Sequence, residues 1–325
     1  MNRQDFFRAF AGSAALAALP RTFRAAQQSA QEPQPQTYTY KTAGGCEIQA
    51  DVYGADRSVR KRGLIYIHGG ALIGGSRKTV PNLVPDLLRK LGYVVVLVDY
   101  RLAPETKLPQ IINDVEDGVQ WVRTKGPKLF NLDPDRLAIA GDSAGGYLTL
   151  MTGFRVKPRP TVLAVFWGYG DITSPWYSKP DPFYLRQPHV TKEQAYSAVG
   201  ATPCLTAPPE HNQRHHFYLY CRQNGFWPKG VSGHDPDTES KWFDDYCPVR
   251  NVSREYPPTF LLHGTADTDV PCEESKKMAE KMAQAGVKHE LILVPGGGHG
   301  LQETTPAEWE RIYARVSGFV KSRMT

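Results

Sequence analysis

The sequence predicts an α/β fold with a mostly parallel central sheet covered by helices on both faces. Six apolar runs of strand length alternate along the chain with segments of helical period or composition. Alternation of strands and helices is typical of a parallel sheet. The runs are continuously apolar rather than alternating, which indicates strands buried on both faces.

The apolar runs place the predicted strands at Leu64–Gly69, Tyr93–Tyr100, Arg136–Gly141, Thr161–Gly168, Thr259–Gly264 and His289–Val294. Helices are predicted between them at Pro81–Leu91, Gln110–Thr124, Cys272–Gly286 and Pro306–Ser322. Gly286 is a natural C-terminal stop, and Pro306 suits the first turn of the last helix.

Residues 167–256 interrupt this alternation of strands and helices. They are predicted to form an insertion in a catalytic domain made of 38–166 and 257–325. The insertion has no strand-like run, many prolines and nearly half of the aromatic residues of the chain. Because the carboxyl ends of parallel strands form the binding crevice, we expect it to cap that edge and to line an apolar pocket. The alternative is a segment on the protein surface with a small core of its own.

The first 26 residues are predicted to be an export signal, followed by a Gln/Pro-rich linker at 27–37. A short basic region precedes the apolar stretch Ala9–Leu19, which is too short to span a bilayer. The region resembles a bacterial twin-arginine signal with Gln4 where the second arginine would stand. We therefore expect a periplasmic or extracellular protein without a membrane span in the mature chain; the alternative is an ordinary amphipathic helix.

The composition argues against a nucleic-acid partner and against a zinc site built on cysteines. The formal net charge is +6, but no run of Lys and Arg marks a basic groove, so nucleic-acid binding is not expected. The five cysteines, an odd number, show no CxxC pair and no zinc-like spacing with histidine. One or two disulfides or isolated buried thiols fit equally well, and the oligomeric state is not predicted.

Ser143 is the predicted nucleophile. It is the serine of Gly-Asp-Ser-Ala-Gly at 141–145, between a predicted strand and a helix-like run, which is the required context of G-x-S-x-G. Side chains in place of Gly141 and Gly145 would collide with neighbouring elements. The turn therefore lifts the serine hydroxyl beside a helix N-terminus, where developing negative charge is favoured.

A serine nucleophile needs a base and a carboxylate that orients the base. His299, after the last predicted strand, is the expected base, and the carboxylate is expected in the loop after Thr259–Gly264. Asp267 and Asp269 both lie there; the similarity to known families described below favours Asp267, four residues after His263, and Asp269 is interpreted as a solvated or loop-bracing neighbour. His263 is interpreted as a packing residue.

The oxyanion hole is expected in the loop His-Gly-Gly-Ala at 68–71. This loop follows a predicted strand, where an HGGG-type motif is expected. The backbone N–H groups of Gly70 and Ala71, with that of Ala144, would bind the oxygen of the tetrahedral intermediate. His68 is interpreted as a brace for the loop.

Three motifs in this order closely resemble the hormone-sensitive-lipase-like branch of the α/β-hydrolases: HGGA, VDYRLAPE at 98–105 and GDSAGG at 141–146. The acid segment HGTADTDVP at 263–271 is more similar to acetyl- and feruloyl-esterases and prolyl-oligopeptidase-like hydrolases. The resemblance implies the α/β-hydrolase fold, and it implies that residues 100–105 buttress the catalytic loops.

The expected function is hydrolysis of a small-molecule carboxylic ester by the Ser143–His299–Asp267 triad, without a cofactor or metal. Short-to-medium acyl esters are expected: an aromatic-rich cap suits aryl or other bulky esters, and an exported microbial enzyme equally suits carbohydrate acetyl esters. Two alternatives stay open. One is a prolyl-oligopeptidase-like peptidase, and the other is a ligand-binding homologue that has lost catalysis.

Overall fold

The computed structural model describes residues 34–79, 91–197, 199–203 and 214–325. Eight strands in these residues form one sheet with the order β1-β2-β4-β3-β5-β6-β7-β8. They are β1 Gln36–Ala43, β2 Cys46–Tyr53, β3 Lys61–Ile67, β4 Val94–Val98, β5 Leu132–Asp142, β6 Val162–Phe166, β7 Thr259–Gly264 and β8 His289–Val294. β1 and β2 pair antiparallel, as do β2 and β4. Every other neighbouring pair is parallel.

The helices of the described residues are α1 Leu108–Phe130, α2 Ala144–Arg155, α3 Pro175–Ser178, α4 Lys192–Tyr196, α5 Arg214–Asn224, α6 Trp227–Ser232, α7 Glu273–Gln284 and α8 Pro306–Arg323. Short 3-10 turns lie at Tyr184–Arg186, Ser240–Tyr246 and Pro248–Arg250. The predicted helix Pro81–Leu91 falls largely outside the described residues, as does the predicted signal at 1–26.

The sheet separates two apolar cores, and successive residues of β3 point alternately into them. Ile65 and Ile67 pack in the larger core with residues of α1 and α2. Leu64 and Tyr66 pack in the smaller core, which α8 covers. This alternation explains the unbroken apolar run, because each face of the strand must be buried. The predicted fold class is confirmed.

The segment 167–256 lies between β6 and β7 and is called the insertion below. Its described residues form short helices and 3-10 turns and contain no strand. Tyr169, Tyr177 and Trp227 form an aromatic core in it, with the rings of Tyr177 and Trp227 stacked at 4.1 Å. None of the helices in the described part of the chain has the length and apolar character needed to cross a bilayer.

Candidate active site

Ser143 lies on a sharp turn between β5 and α2, where the sequence places it. Its φ of 51° and ψ of −120° are a conformation that a non-glycine residue adopts only under strain. Gly145 makes this turn possible, since a Cβ there would stand 2.0 Å from the carbonyl oxygen of Ile67. The small residues around the serine therefore allow α2 to approach β3 closely.

A continuous line of contacts joins the three residues of the predicted triad. Ser143 Oγ lies 3.1 Å from Nε2 of His299. On the other side of the ring, His299 Nδ1 lies 2.7 Å from Oδ2 of Asp267. A proton on Nδ1 satisfies the carboxylate and leaves Nε2 free to accept the serine proton, which is the arrangement that nucleophilic catalysis by serine requires.

The loops that carry Asp267 and His299 are tied together at the ends of β7 and β8. The N–H of Ala266 donates to the carbonyl of Gly297 at 2.9 Å. Gly264 permits this contact, because a Cβ there would stand 2.2 Å from the same carbonyl oxygen. The two loops thus hold the carboxylate and the imidazole at a fixed distance.

The carboxylate of Asp267 is fully enclosed and hydrogen-bonded on both oxygens. Oδ1 accepts the backbone N–H groups of Asp269 and Val270, at 2.8 and 2.9 Å. Burial alone would raise the pKa of Asp267, but the neighbouring charge of His299 and hydrogen bonds from His263 and His299 hold it well below its usual value. Asp267 is therefore ionised at neutral pH and can stabilise an imidazolium.

The carboxylates around His299 stabilise its protonated form. Burial favours the neutral ring, but the negative charges of Asp267 and Asp269, with a smaller contribution from Asp142, raise the pKa of His299 to about 9. Asp142 precedes the nucleophile and accepts a hydrogen bond from Tyr66 at 2.7 Å. Burial raises the pKa of Asp142 to about 6.

His263 does more than the packing that its sequence position indicated. It is fully buried, and its Nε2 lies 3.2 Å from Asp267 Oδ2 and 3.0 Å from the carbonyl oxygen of Val270. Two acceptors at one nitrogen mean that Nε2 carries the proton. His263 is thus a second imidazole donor to the carboxylate that orients His299, and its position four residues before Asp267 is the only sequence signal for it.

Asp269 was expected to be either solvated or loop-bracing, and the first of these two interpretations is wrong. Its side chain is only 12% exposed and lies on the other side of His299 from Asp267, with Oδ2 3.5 Å from Nε2. Its Oδ1 accepts from Arg222 and from two tyrosines of the insertion. Asp267 and Asp269 therefore do not compete for one position, because they face different nitrogens of the ring.

The loop predicted to form the oxyanion hole lies against the nucleophile. A Cβ on Gly69 would stand 3.2 Å from Cβ of Ser143. Gly70 has a φ of 112° and Ala71 a φ of 56°. The backbone N–H groups of Gly70, Ala71 and Ala144 donate no hydrogen bond to any other described residue. Three unused donors beside a serine are what binding of an oxyanion requires.

Two groups of residues brace this loop. His68 stacks on Tyr100 with ring centres 4.2 Å apart, and the hydroxyl of Tyr100 donates to the carbonyl of His68 at 2.9 Å. These contacts fit the roles expected for His68 and for residues 100–105. From the insertion, Trp227 donates its indole N–H to the carbonyl of Ala71 at 3.0 Å, and Arg214 donates to the carbonyl of Ile73 at 2.7 Å.

No role could be predicted from the sequence for Trp227, Arg214 or Arg222, because their partners lie far away along the chain. Arg222 is fully buried, with its guanidinium 4.4 Å from the ring centre of Tyr184. Tyr218 and Arg222 share one face of α5 at a spacing of four residues, which was the only local sign that they act together.

Two further features of the described residues concern cysteine pairing and possible metal ligands. Among the described cysteines, Cys46, Cys221, Cys247 and Cys272 are free thiols, so no disulfide joins Cys221 to Cys247; Cys204 lies outside the described residues. In the same part of the chain, no group of three or more His, Cys, Asp or Glu side chains is arranged to hold a metal ion.

Comparison with known proteins identifies the family. A sequence profile of the alpha/beta hydrolase fold matches residues 64–303. The chain belongs to the α/β-hydrolase family. This match spans the loop at 68–71, the turn at Ser143 and the loops of Asp267 and His299, and it confirms the resemblance seen in the sequence.

Proteins of similar sequence include a much longer synthase and an esterase. The chain is 29% identical over 315 residues to the non-reducing polyketide synthase ausA of Emericella nidulans, covering 82% of this chain and 13% of the synthase. It is 27% identical over 238 residues to Esterase LipC of Mycobacterium tuberculosis, covering 73% of this chain and 52% of LipC. The chain thus spans about half or less of the length of these relatives.

A solved α/β-hydrolase superfamily protein from Enterococcus faecalis has the same fold. It superposes with a TM-score of 0.68 at 21% identity and covers 89% of this chain and 98% of its own. Similarity at this level of identity shows the fold alone.

Proposed function

We propose that the protein is a serine carboxylic-ester hydrolase that acts on short-to-medium acyl esters. The observation that carries the proposal is the line of contacts from Ser143 Oγ through His299 to Asp267, at 3.1 and 2.7 Å. The family and the relative named an esterase support an enzyme of the carboxylesterase type.

In the first half of the reaction, Ser143 Oγ attacks the acyl carbon while its proton passes to Nε2 of His299. The carbonyl oxygen becomes an oxyanion, which the N–H groups of Gly70, Ala71 and Ala144 bind. The bond to the leaving alcohol then breaks, and its oxygen takes the proton from Nε2. The products of this half are the free alcohol and an acyl-enzyme on Ser143.

In the second half, a water molecule gives a proton to His299 Nε2 as its oxygen attacks the acyl carbon. The second tetrahedral intermediate collapses, the carboxylic acid leaves, and Ser143 Oγ recovers its proton from His299. Asp267 keeps the ring oriented and offsets its positive charge in both halves. Each step uses only groups of this chain, the ester and water.

Hydrolysis of p-nitrophenyl esters with acyl chains of two to twelve carbons tests the proposal. We expect the highest kcat/KM at short chains and a loss of at least about a thousandfold in Ser143→Ala. No turnover across the series, or turnover that survives the substitution, would contradict it. Turnover of aminoacyl esters alone would favour the peptidase, and no reaction with an organophosphonate would favour the ligand-binding homologue.

We also propose that the insertion caps the site and that the protein is exported. Contacts of Trp227 and Arg214 with the oxyanion loop and of Arg222 with Asp269 support the first proposal. The basic and apolar pattern of residues 1–26 supports the second. Fractionation of cells that express the full chain tests export: a protein confined to the cytoplasm at full length would contradict it.

A further inference from the structure

Asp269 is held by the insertion at the edge of the reacting centre. Its Oδ1 accepts the hydroxyl of Tyr184 at 2.6 Å, the hydroxyl of Tyr218, and Nη1 of Arg222 at 2.9 Å. All three donors come from the insertion, and Arg222 is itself fixed by an ion pair with Asp181 at 2.7 Å. Three donors on one oxygen fix the orientation of the carboxylate and therefore the position of the other oxygen.

The other oxygen, Oδ2, faces the nitrogen that moves protons in the reaction. It lies 3.5 Å from His299 Nε2, and the same nitrogen lies 3.1 Å from Ser143 Oγ. The orienting task at Nδ1 belongs to Asp267, at 2.7 Å. Asp269 is therefore not needed to orient the base, and its place beside Nε2 calls for another explanation.

The mechanism determines which part of a substrate reaches this oxygen. His299 Nε2 protonates the oxygen of the leaving alcohol, so that oxygen must come within hydrogen-bond distance of Nε2. The distance from the leaving oxygen to a group on the next carbon of the alcohol is about the same as the distance from Nε2 to Oδ2. With the leaving oxygen at Nε2, such a group therefore lies beside Oδ2. An ionised carboxylate only accepts hydrogen bonds, so the group that it binds there is a donor.

From this geometry we propose that Asp269 Oδ2 forms a subsite for the alcohol part of the substrate and accepts a hydroxyl on the carbon next to the ester carbon–oxygen bond. The substrate class is the partially acylated vicinal diol, as found in polyols and sugars. The inference rests on the proposed ester hydrolysis and adds to it the chemistry of the leaving group.

The charges nearby favour a neutral hydroxyl donor. Asp269 already has a cationic partner in Arg222, whose guanidinium is enclosed among aromatic rings. Burial lowers the pKa of the neighbouring His215 to about 4, so this side chain is uncharged at neutral pH. The carboxylate therefore has its ionic partner within the protein, and a neutral hydroxyl adds a hydrogen bond there without adding a charge.

The strength of the expected preference follows from hydrogen-bond energetics. A hydrogen bond to a charged acceptor corresponds to about a 10- to 100-fold difference in kcat/KM between an ester with the hydroxyl and one without a donor. A site built to bind a hydroxyl discriminates strongly against the analogue that lacks it, because its acceptor is then left unpaired.

The test compares 2-hydroxyethyl acetate with 2-methoxyethyl acetate, which share the acyl group and differ by a methyl on the distal oxygen. With the full chain, we expect kcat/KM to be about 10- to 100-fold higher for the hydroxyl ester. Asp269→Asn should bring the ratio close to one. Asp237→Asn is the matched control, since Asp237 pairs with Lys179 at 2.8 Å on the exposed surface of the insertion, and it should preserve the ratio.

Circular dichroism checks the folding of each variant, and Asp269→Ser provides a second, smaller replacement. Equal kcat/KM for the two esters with the wild-type chain, or a ratio that both Asp269 variants retain, would overturn the subsite. A preference for acetylcholine over both esters would also overturn it, because the carboxylate would then select a cation without a donor. Failure to cleave any acetate ester, p-nitrophenyl acetate included, would instead overturn the proposed function and the subsite together.

Discussion

Trp227 donates its indole N–H to the carbonyl oxygen of Ala71 at 3.0 Å, and this contact joins the insertion to the loop at 68–71. Ala71 and Leu72 both have positive φ, at 56° and 61°. Two successive non-glycine residues in this region persist only where their surroundings hold them. The insertion therefore helps to shape the loop that is proposed to bind the oxyanion.

Trp227→Phe keeps the aromatic packing and removes this hydrogen bond. We expect kcat for p-nitrophenyl acetate to fall about 2- to 10-fold with little change in KM, because the loop acts mainly on the transition state. Trp242→Phe is the control, since Trp242 stacks on His234 elsewhere in the insertion. Equal kcat values for Trp227→Phe and the wild type would contradict a positioning role.

His263→Phe removes a buried donor from Asp267 and should both slow and destabilise the enzyme. We expect about a tenfold loss of kcat and a decrease of about 1–3 kcal/mol in the free energy of unfolding, because a buried carboxylate loses a hydrogen bond. Urea unfolding and steady-state kinetics measure the two effects. Ser275→Ala, which removes only the partner of His263 Nδ1 at 2.7 Å, should preserve most of kcat. A larger loss of kcat in Ser275→Ala than in His263→Phe would contradict this role for His263.

The pH profile should show that the base titrates in the alkaline range. His299 accepts the serine proton only when it is neutral, so kcat/KM rises with pH as the imidazolium loses its proton. Because the surrounding carboxylates raise the pKa of His299 to about 9, we expect the midpoint of this rise near pH 9 after subtraction of uncatalysed hydrolysis. A midpoint at the ordinary value of 6.5 would contradict the arrangement.

Asp269→Asn should move that midpoint to lower pH, since it removes one of the negative charges that stabilise protonated His299. The profile of kcat/KM for p-nitrophenyl acetate measures the shift. Asp181→Asn, which removes a more distant carboxylate, should shift the midpoint less. A midpoint unchanged by Asp269→Asn would show that its charge does not act on the base.

Gly145→Ala should prevent correct folding around the nucleophile. Its Cβ would stand 2.0 Å from the backbone carbonyl oxygen of Ile67, which cannot move away without opening the turn. Gly318→Ala is the matched control, because nothing lies within 4 Å of its Cβ position and it belongs to α8. We expect the control to be as stable as the wild type or more so. A soluble and fully active Gly145→Ala would contradict the packing described for this turn.

Much of the fold could be predicted from the sequence where local signals agree with burial. β7 and β8 have the predicted bounds, because each is a compact apolar run that ends at a clear break. Helix α1 continues to Phe130, beyond the predicted end at Thr124, although Gly126 and Pro127 read as breakers. Packing of Gly126 and Phe130 in the interior outweighs the local propensity there.

The candidate site likewise has residues that could be predicted from the sequence and residues that could not. Ser143, His299 and the loop at 68–71 could be predicted because motif and strand position coincide. The contacts of His263 and Asp269 could not, since they depend on how the insertion and the loop after β7 fold in three dimensions. Asp269 shows this most clearly. It stands only two residues after Asp267 in the sequence, but it faces the opposite nitrogen of the same imidazole.

Covalent labelling measures whether His299 activates Ser143 as a nucleophile, which the proposed mechanism requires. The full chain is treated with a fluorophosphonate and digested with trypsin, and the peptide of residues 137–155 is analysed by mass spectrometry. We expect one stoichiometric adduct on Ser143, formed far more slowly in His299→Ala. No adduct, an adduct on another residue, or labelling that His299→Ala leaves unchanged would contradict the account.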